Sequence, residues 1–102
     1  MIKSELIETL ASEITHLPEQ QVSEAINCIL DTMGQTLIDG GRIEIRGFGS
    51  FSLREKPPRH AHNPKTGQKI TTQARYSPHF KPGKELRERV TLSRQKHPLK
   101  EE

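Results

Sequence analysis

Twenty residues, Lys56 to Arg75, hold five cations (Lys56, Arg59, Lys65, Lys69 and Arg75), two histidines and no carboxylate. Positive charge without internal counterions suits the neutralisation of phosphates along a polyanion, because each cation that meets a phosphate releases a condensed counterion. Beyond alanine and proline, the only apolar side chain in this stretch is Ile70, so it has no core of its own. Its middle, Asn63-Pro64-Lys65-Thr66-Gly67, is turn chemistry. Proline fixes φ at the second position of a β-turn and glycine supplies positive φ at the exit. The pattern predicts a two-stranded arm with a tight tip, directed at something outside the protein.

Other chemistries find less support. His60 and His62 stand two apart on a predicted strand, but no third ligand completes a metal set. No serine or cysteine occupies a nucleophile elbow, and Gly47-Phe48-Gly49 lacks the spacing and following helix of a phosphate loop. The sequence therefore predicts no catalytic residue, no metal and no cofactor.

An arm needs a body to hold it. The chain has 102 residues, and without the arm about seventy remain, a size whose single core rarely yields more than about 3 to 5 kcal/mol. Cys28 is the only cysteine, so no intrachain disulfide can staple the body, and dimerisation is the expected staple. A lone cysteine in a helical apolar pattern fits a reducing cytosol. No apolar run is long enough for a membrane span, and no signal peptide precedes the first helix. Charge is segregated: residues 1–40 hold one cation against seven acids, and residues 41–90 hold twelve against four. Such asymmetry is the footprint of a polyanion on one half of the molecule.

Periodicity supplies the elements. Leu6, Ile7, Leu10, Ala11 and Ile14 recur at helical spacing from Lys3 to about Ile14. Pro18 suits the first turn of a second helix, whose stripe of Val22, Ala25, Ile26, Ile29, Leu30, Met33 and Leu37 is wide enough to pack on the first helix and on a partner chain. Gly40-Gly41 ends it. The period then becomes two: Ile43 and Ile45 face one way while Arg42, Glu44 and Arg46 face the other, and after a turn at Gly47-Phe48-Gly49 the buried face resumes with Phe51 and Leu53. Ser50, Ser52 and Arg54 join the charged face. Pro57-Pro58 mark where body gives way to arm, Pro78 confines the returning strand to an edge, and Lys84 to about Leu92 forms a last helix. The polar tail, residues 93–102, is expected to be disordered.

Three segments in order, Arg46-Gly47-Phe48-Gly49-Ser50-Phe51, Asn63-Pro64-Lys65-Thr66-Gly67 and Pro78-His79-Phe80-Lys81-Pro82-Gly83-Lys84-Glu85-Leu86, resemble the bacterial histone-like DNA-bending family over residues 1–92. The resemblance implies an α+β fold built as an intertwined dimer. Two N-terminal helices form the base, a three-stranded antiparallel sheet forms a saddle, a long β-hairpin arm (56–75) reaches round duplex DNA, and a C-terminal helix completes a single domain. It implies a cytoplasmic, nucleoid-associated subunit that binds the minor groove and bends DNA in recombination, replication and the regulation of transcription and translation. The partner is a homologous alpha-type chain, or a second copy in a non-specific homodimer. An interaction module whose arm binds an acidic protein is the reading from another class.

The resemblance also assigns roles. Pro64 becomes an intercalating wedge, and Arg59, His60, His62, Asn63, Lys65, Lys69 and Arg75 follow the minor groove and its phosphates. Arg46 reads a sequence-dependent position with Glu44 holding its orientation. Lys3, Ser4, Arg42, Gly47, Lys81, Lys84 and Arg87 contact phosphates, some through amides at the starts of the first and last helices. The chain departs from the family pattern at Ala61-His62, where glycine and arginine are usual. His62 restores part of the missing charge only when protonated, near the ordinary imidazole pKa of about 6.5.

Overall fold

Among the described residues the elements run in the order α1 (Lys3–Glu13), α2 (Glu19–Ile38), β1 (Ile43–Ile45), β2 (Gly49–Lys56), β3 (His60–His62), β4 (Lys69–Thr71), β5 (Arg75–Pro82) and α3 (Lys84–Ser93). The structure, a computed structural model, describes residues 1–58, 60–62, 65–71 and 73–100, with the backbone course alone at 60–62 and 69–71. The N-terminal helices lie within a residue or so of their predicted bounds. Pro18 caps α2 from an extended conformation instead of entering its first turn. At the other end Gly40 takes φ +82°, its amide donating to the Leu37 carbonyl (3.0 Å) while the Gly41 amide donates to Thr36 (2.8 Å). These two bonds close a Schellman motif.

The body sheet is antiparallel with strand order β1-β2-β5. A turn joins β1 to β2 through the Phe48 amide and Ile45 carbonyl (3.0 Å), with Gly47 at φ +82° in the position where a type II turn needs positive φ. Ile43 lies opposite Phe51, Phe51 opposite Phe80, and Leu53 opposite Pro78, which gathers the apolar residues on one face. There the Phe80 ring lies 4.8 Å from Phe51 and 5.3 Å from Phe48. Pro78 is tolerated because β5 pairs with β2 alone and is an edge strand.

The ladder between β2 and β5 runs to Lys56 opposite Arg75. Pro57 and Pro58 sit outside it, and pairing resumes between β3 and β4 with His60 opposite Thr71. The register crosses the proline pair without slipping, so the arm continues the β2–β5 hairpin. Gly67 takes φ +69° near the tip, and the Gln68 amide donates to the Thr66 hydroxyl. After α3, hydrogen bonds from Lys96 and His97 to Ser93 keep the backbone in turns as far as His97.

Of the described hydrophobic residues, only Val22 and Ile26 are buried. The chain exposes 9216 Å², against about 5,800 Å² for a compact monomer of its mass. Its radius of gyration is 19.6 Å, where about 13 Å is usual at this length. The excess includes Ile29, Leu30 and Ile38 on α2 and Val90 and Leu92 on α3, all exposed. While α1 packs on α2, and α2 touches β1 and β2, α3 is nearly detached from the rest of its own chain. No helix among the described residues is long and apolar enough to cross a membrane.

Candidate nucleic-acid interface

Strand alternation makes one face of the sheet polar. Glu44 lies opposite Ser50, and on β5 the same face presents Lys81 opposite Ser50, His79 opposite Ser52, Ser77 opposite Arg54 and Arg75 opposite Lys56. Arg42 precedes β1 and Arg46 follows it in the turn, and both line the same depression as Glu44. At the end nearest α3 this face becomes a broad, open depression lined by Arg42, Glu44, Arg46, Ser50, Lys81, Lys84 and Arg87, with the Gly47, Gly49 and Gly83 backbone at its floor. Five cations meet Glu44 there, and Glu85 Oε2 stands at the edge, 3.2 Å from where a Cβ on Gly47 would lie.

Glu44 is already engaged. Arg42 Nε donates to Glu44 Oε1 at 2.9 Å, and the same guanidinium reaches the Ser50 hydroxyl at 3.5 Å. Because the pair is more than half exposed, it is worth about 0 to 1 kcal/mol and yields readily to a stronger anion. The resemblance pairs Glu44 with Arg46; in the free chain Arg42 takes it, since its fork reaches Glu44 and Ser50 together. Lys84 approaches Glu88 at 3.9 Å, also in solvent. Arg46, Lys81 and Arg87 make no ion pair among the described residues.

Backbone donors add to the side chains. No side chain caps α3, whose N-cap is Gly83, so the first-turn amides from Lys84 onward are open to an anion at the positive end of the helix dipole. The Gly83 amide donates to the Phe48 carbonyl (2.8 Å) and so fixes the start of α3 beside the β1–β2 turn. Gly49 permits the close approach of β5: an added Cβ would stand 2.5 Å from the Lys81 carbonyl oxygen.

Not every predicted residue converges here. Lys3 and Ser4 open α1, which also lacks a side-chain cap. Lys3 Nζ donates to Asn27 Oδ1 on α2 at 3.0 Å, and Ser4 lines a separate crevice between α1 and α2. On the arm, Arg75 and Lys65 are exposed. Arg59, Asn63 and Pro64 lie outside the described residues, as do the side chains of His60, His62 and Lys69. Among the described residues no three of His, Cys, Asp and Glu come together as a metal set. Sequence reasoning missed His79 and Ser77, which stand between depression and arm; the signal was the alternation from Arg75 to Lys81.

Comparison with known proteins adds independent support. A family model described as bacterial DNA-binding protein matches residues 1–91. The integration host factor subunit beta of Halorhodospira halophila is 56% identical over 100 residues, 98% of each chain. That of Vibrio parahaemolyticus is 60% identical over 92 residues, covering 90% of this chain and 99% of the relative. Among solved structures, HU from Anabaena in a cocrystal with DNA superposes with a TM-score of 0.78 at 34% identity, over 88% of this chain and 97% of that one. HU from Thermotoga maritima gives 0.59 at 30% identity, over 88% and 98%.

Proposed function

The chain belongs to the bacterial DNA-binding protein family, the HU and integration host factor group of architectural proteins, which are not enzymes, and on that premise we propose that it is a bending subunit of the integration host factor beta type. It acts in the nucleoid as one half of a dimer. The observation that carries this reading is the polar face from the base of the arm to the start of α3, on which five cations gather around the loosely held Glu44.

The mechanism follows from that face. Duplex DNA lies along it, with phosphates neutralised by Arg42, Lys81, Lys84 and Arg87 and held by amides at Gly47 and at the start of α3. The amides of Lys3 and Ser4, on the helical base, take phosphates further along the wrapped duplex. The arm continues the β2–β5 register outward and carries Arg59, His60, His62, Asn63, Lys65, Lys69 and Arg75 along the minor groove. At its tip Pro64, a rigid ring without an amide hydrogen, enters a base step. Unstacking costs a few kcal/mol in DNA benders of this class, this family among them, and the wrapping of the duplex offsets it.

Sequence preference comes from Arg46 in the minor groove. Minor-groove donors and acceptors are degenerate, so groove width and deformability supply most of the discrimination. Glu44 tempers the charge beside Arg46. The exposed stripes on α2 and α3 are covered by the partner chain, a homologous alpha-type subunit. Because solved relatives include HU, the second reading is a non-specific homodimer of the same fold. A competition assay with specific and random duplexes, with and without candidate partner chains, separates the two. Preference for the specific duplex only with the alpha-type partner supports the first. Equal affinity for both duplexes without any partner overturns it.

A further inference from the structure

Before Arg42 the chain holds a single lysine or arginine, Lys3, among seven carboxylates. Duplex DNA that reaches the helical base therefore meets excess negative charge, relieved at Lys3 and at the uncapped start of α1. A lysine ammonium sits on a flexible stem and swings in solvent unless something holds it. Lys3 is held: its Nζ donates to Asn27 Oδ1 at 3.0 Å, across twenty-four residues of sequence and from α1 to α2. Asn27 is half-buried and follows the buried Ile26, so the anchor stands beside the packed seam of the two helices.

The choice of partner matters as much as the contact. Glu24 and Asp31 stand about one turn before and after Asn27 on α2, yet Lys3 makes no ion pair among the described residues. Glu24 accepts instead from Gln20 Nε2 at 3.4 Å. A neutral amide oxygen fixes the ammonium without opposing its charge; it takes one hydrogen and leaves the others for a phosphate. Arg42 and Lys84 differ, because each stands against a carboxylate that a phosphate must displace.

We propose that Asn27 is a positioning residue for DNA binding: it holds the ammonium of Lys3, with no carboxylate against it, at the start of α1 to receive a phosphate of the wrapped duplex. The proposal rests on the DNA-bending reading above, which brings the duplex to the helical base. Ordering one long side chain at an interface lowers affinity by a factor of about two to ten. Asn27 orders Lys3 on folding, before the DNA arrives.

The test is a double-mutant cycle on the full chain with its partner, reading affinity for a long specific duplex across a range of salt. Lys3→Ala removes a phosphate contact, and its slope of log affinity on log salt is shallower by about 0.9. Asn27→Ala lowers affinity by about two- to tenfold with the slope kept, because the contact still forms from a freer lysine. In the Lys3→Ala background the same substitution has no further effect on affinity. A role confined to holding α1 on α2 would act with or without Lys3, so an Asn27→Ala loss that persists in full in that background overturns the proposal. So does an Asn27→Ala variant that binds as the unaltered protein does. Unchanged affinity for Lys3→Ala overturns it too, since a lysine that meets no phosphate has no position to keep. Each of these leaves DNA binding in place. If the unaltered protein binds no duplex, the underlying reading fails and the positioning role fails with it.

Discussion

An alanine at position 49 tests the approach of β2 and β5 that sets the floor of the depression. Gly49 begins β2 opposite Pro82, and a Cβ added there stands 2.5 Å from the Lys81 carbonyl oxygen and 2.8 Å from two ring carbons of Phe80. Carbon contacts settle at about 3.5 to 4.0 Å, so β5 must retreat by roughly 0.7 Å or more. The ring cannot simply swing aside, since Phe51 and Phe48 lie against it. Overpacking of this kind costs about 1 to 3 kcal/mol, and the stiffer unfolded chain returns about 0.4 to 1 kcal/mol. The net loss expected for Gly49→Ala is about 1 to 2 kcal/mol, which lowers the melting temperature of a domain this size by roughly 4 to 16 °C. Thermal unfolding followed by circular dichroism reads this, at matched protein concentrations because the midpoint of a dimer depends on concentration. A variant that melts at or above the unaltered protein would show that the packing of β5 on Gly49 does not constrain the site.

Three further predictions concern the interface. Lys84→Ala should weaken binding to all sequences alike and reduce the salt slope by about 0.9 per contact; a loss confined to specific sites contradicts its assignment to a phosphate. Glu44→Gln releases Arg42 and removes the carboxylate that lines the middle of the depression, so random-duplex affinity should rise while the specific-to-random ratio falls in competition binding. An unchanged ratio would remove Glu44 from sequence preference. Ile29→Asp places a charge on an exposed apolar stretch of α2, and sedimentation at micromolar concentration should find monomer or unfolded chain. A stable dimer would locate the partner contact elsewhere.

Much of the fold was legible because it is local. Spacing of 3 and 4 drew α1 and α2, alternation separated Ile43 and Phe51 from Glu44 and Ser50, and the acid-free run from Lys56 marked the arm. The Gly40-Gly41 cap and the Pro57-Pro58 break were equally readable, since backbone chemistry alone dictates them. The shortage of buried residues also followed from arithmetic on length. Relations that depend on distance in sequence were not legible. Lys3 and Asn27, twenty-four residues apart, share a hydrogen bond that no pattern announces. His79 meets Ser52 only once the β2–β5 register is known. Arg42 and Arg46 are equidistant in sequence from Glu44, and only the added reach to Ser50 favours Arg42.

The central claim is that this chain bends DNA and that the tip of its arm drives the bend. Energy transfer between dyes at the two ends of a specific duplex measures this directly, with the chain and its partner at saturation. The account predicts a large gain in transfer with the unaltered protein, and a clearly smaller gain with Pro64→Ala at equal occupancy and unchanged circular dichroism. Equal transfer for the two proteins would contradict the wedge, and no gain with either would contradict bending itself.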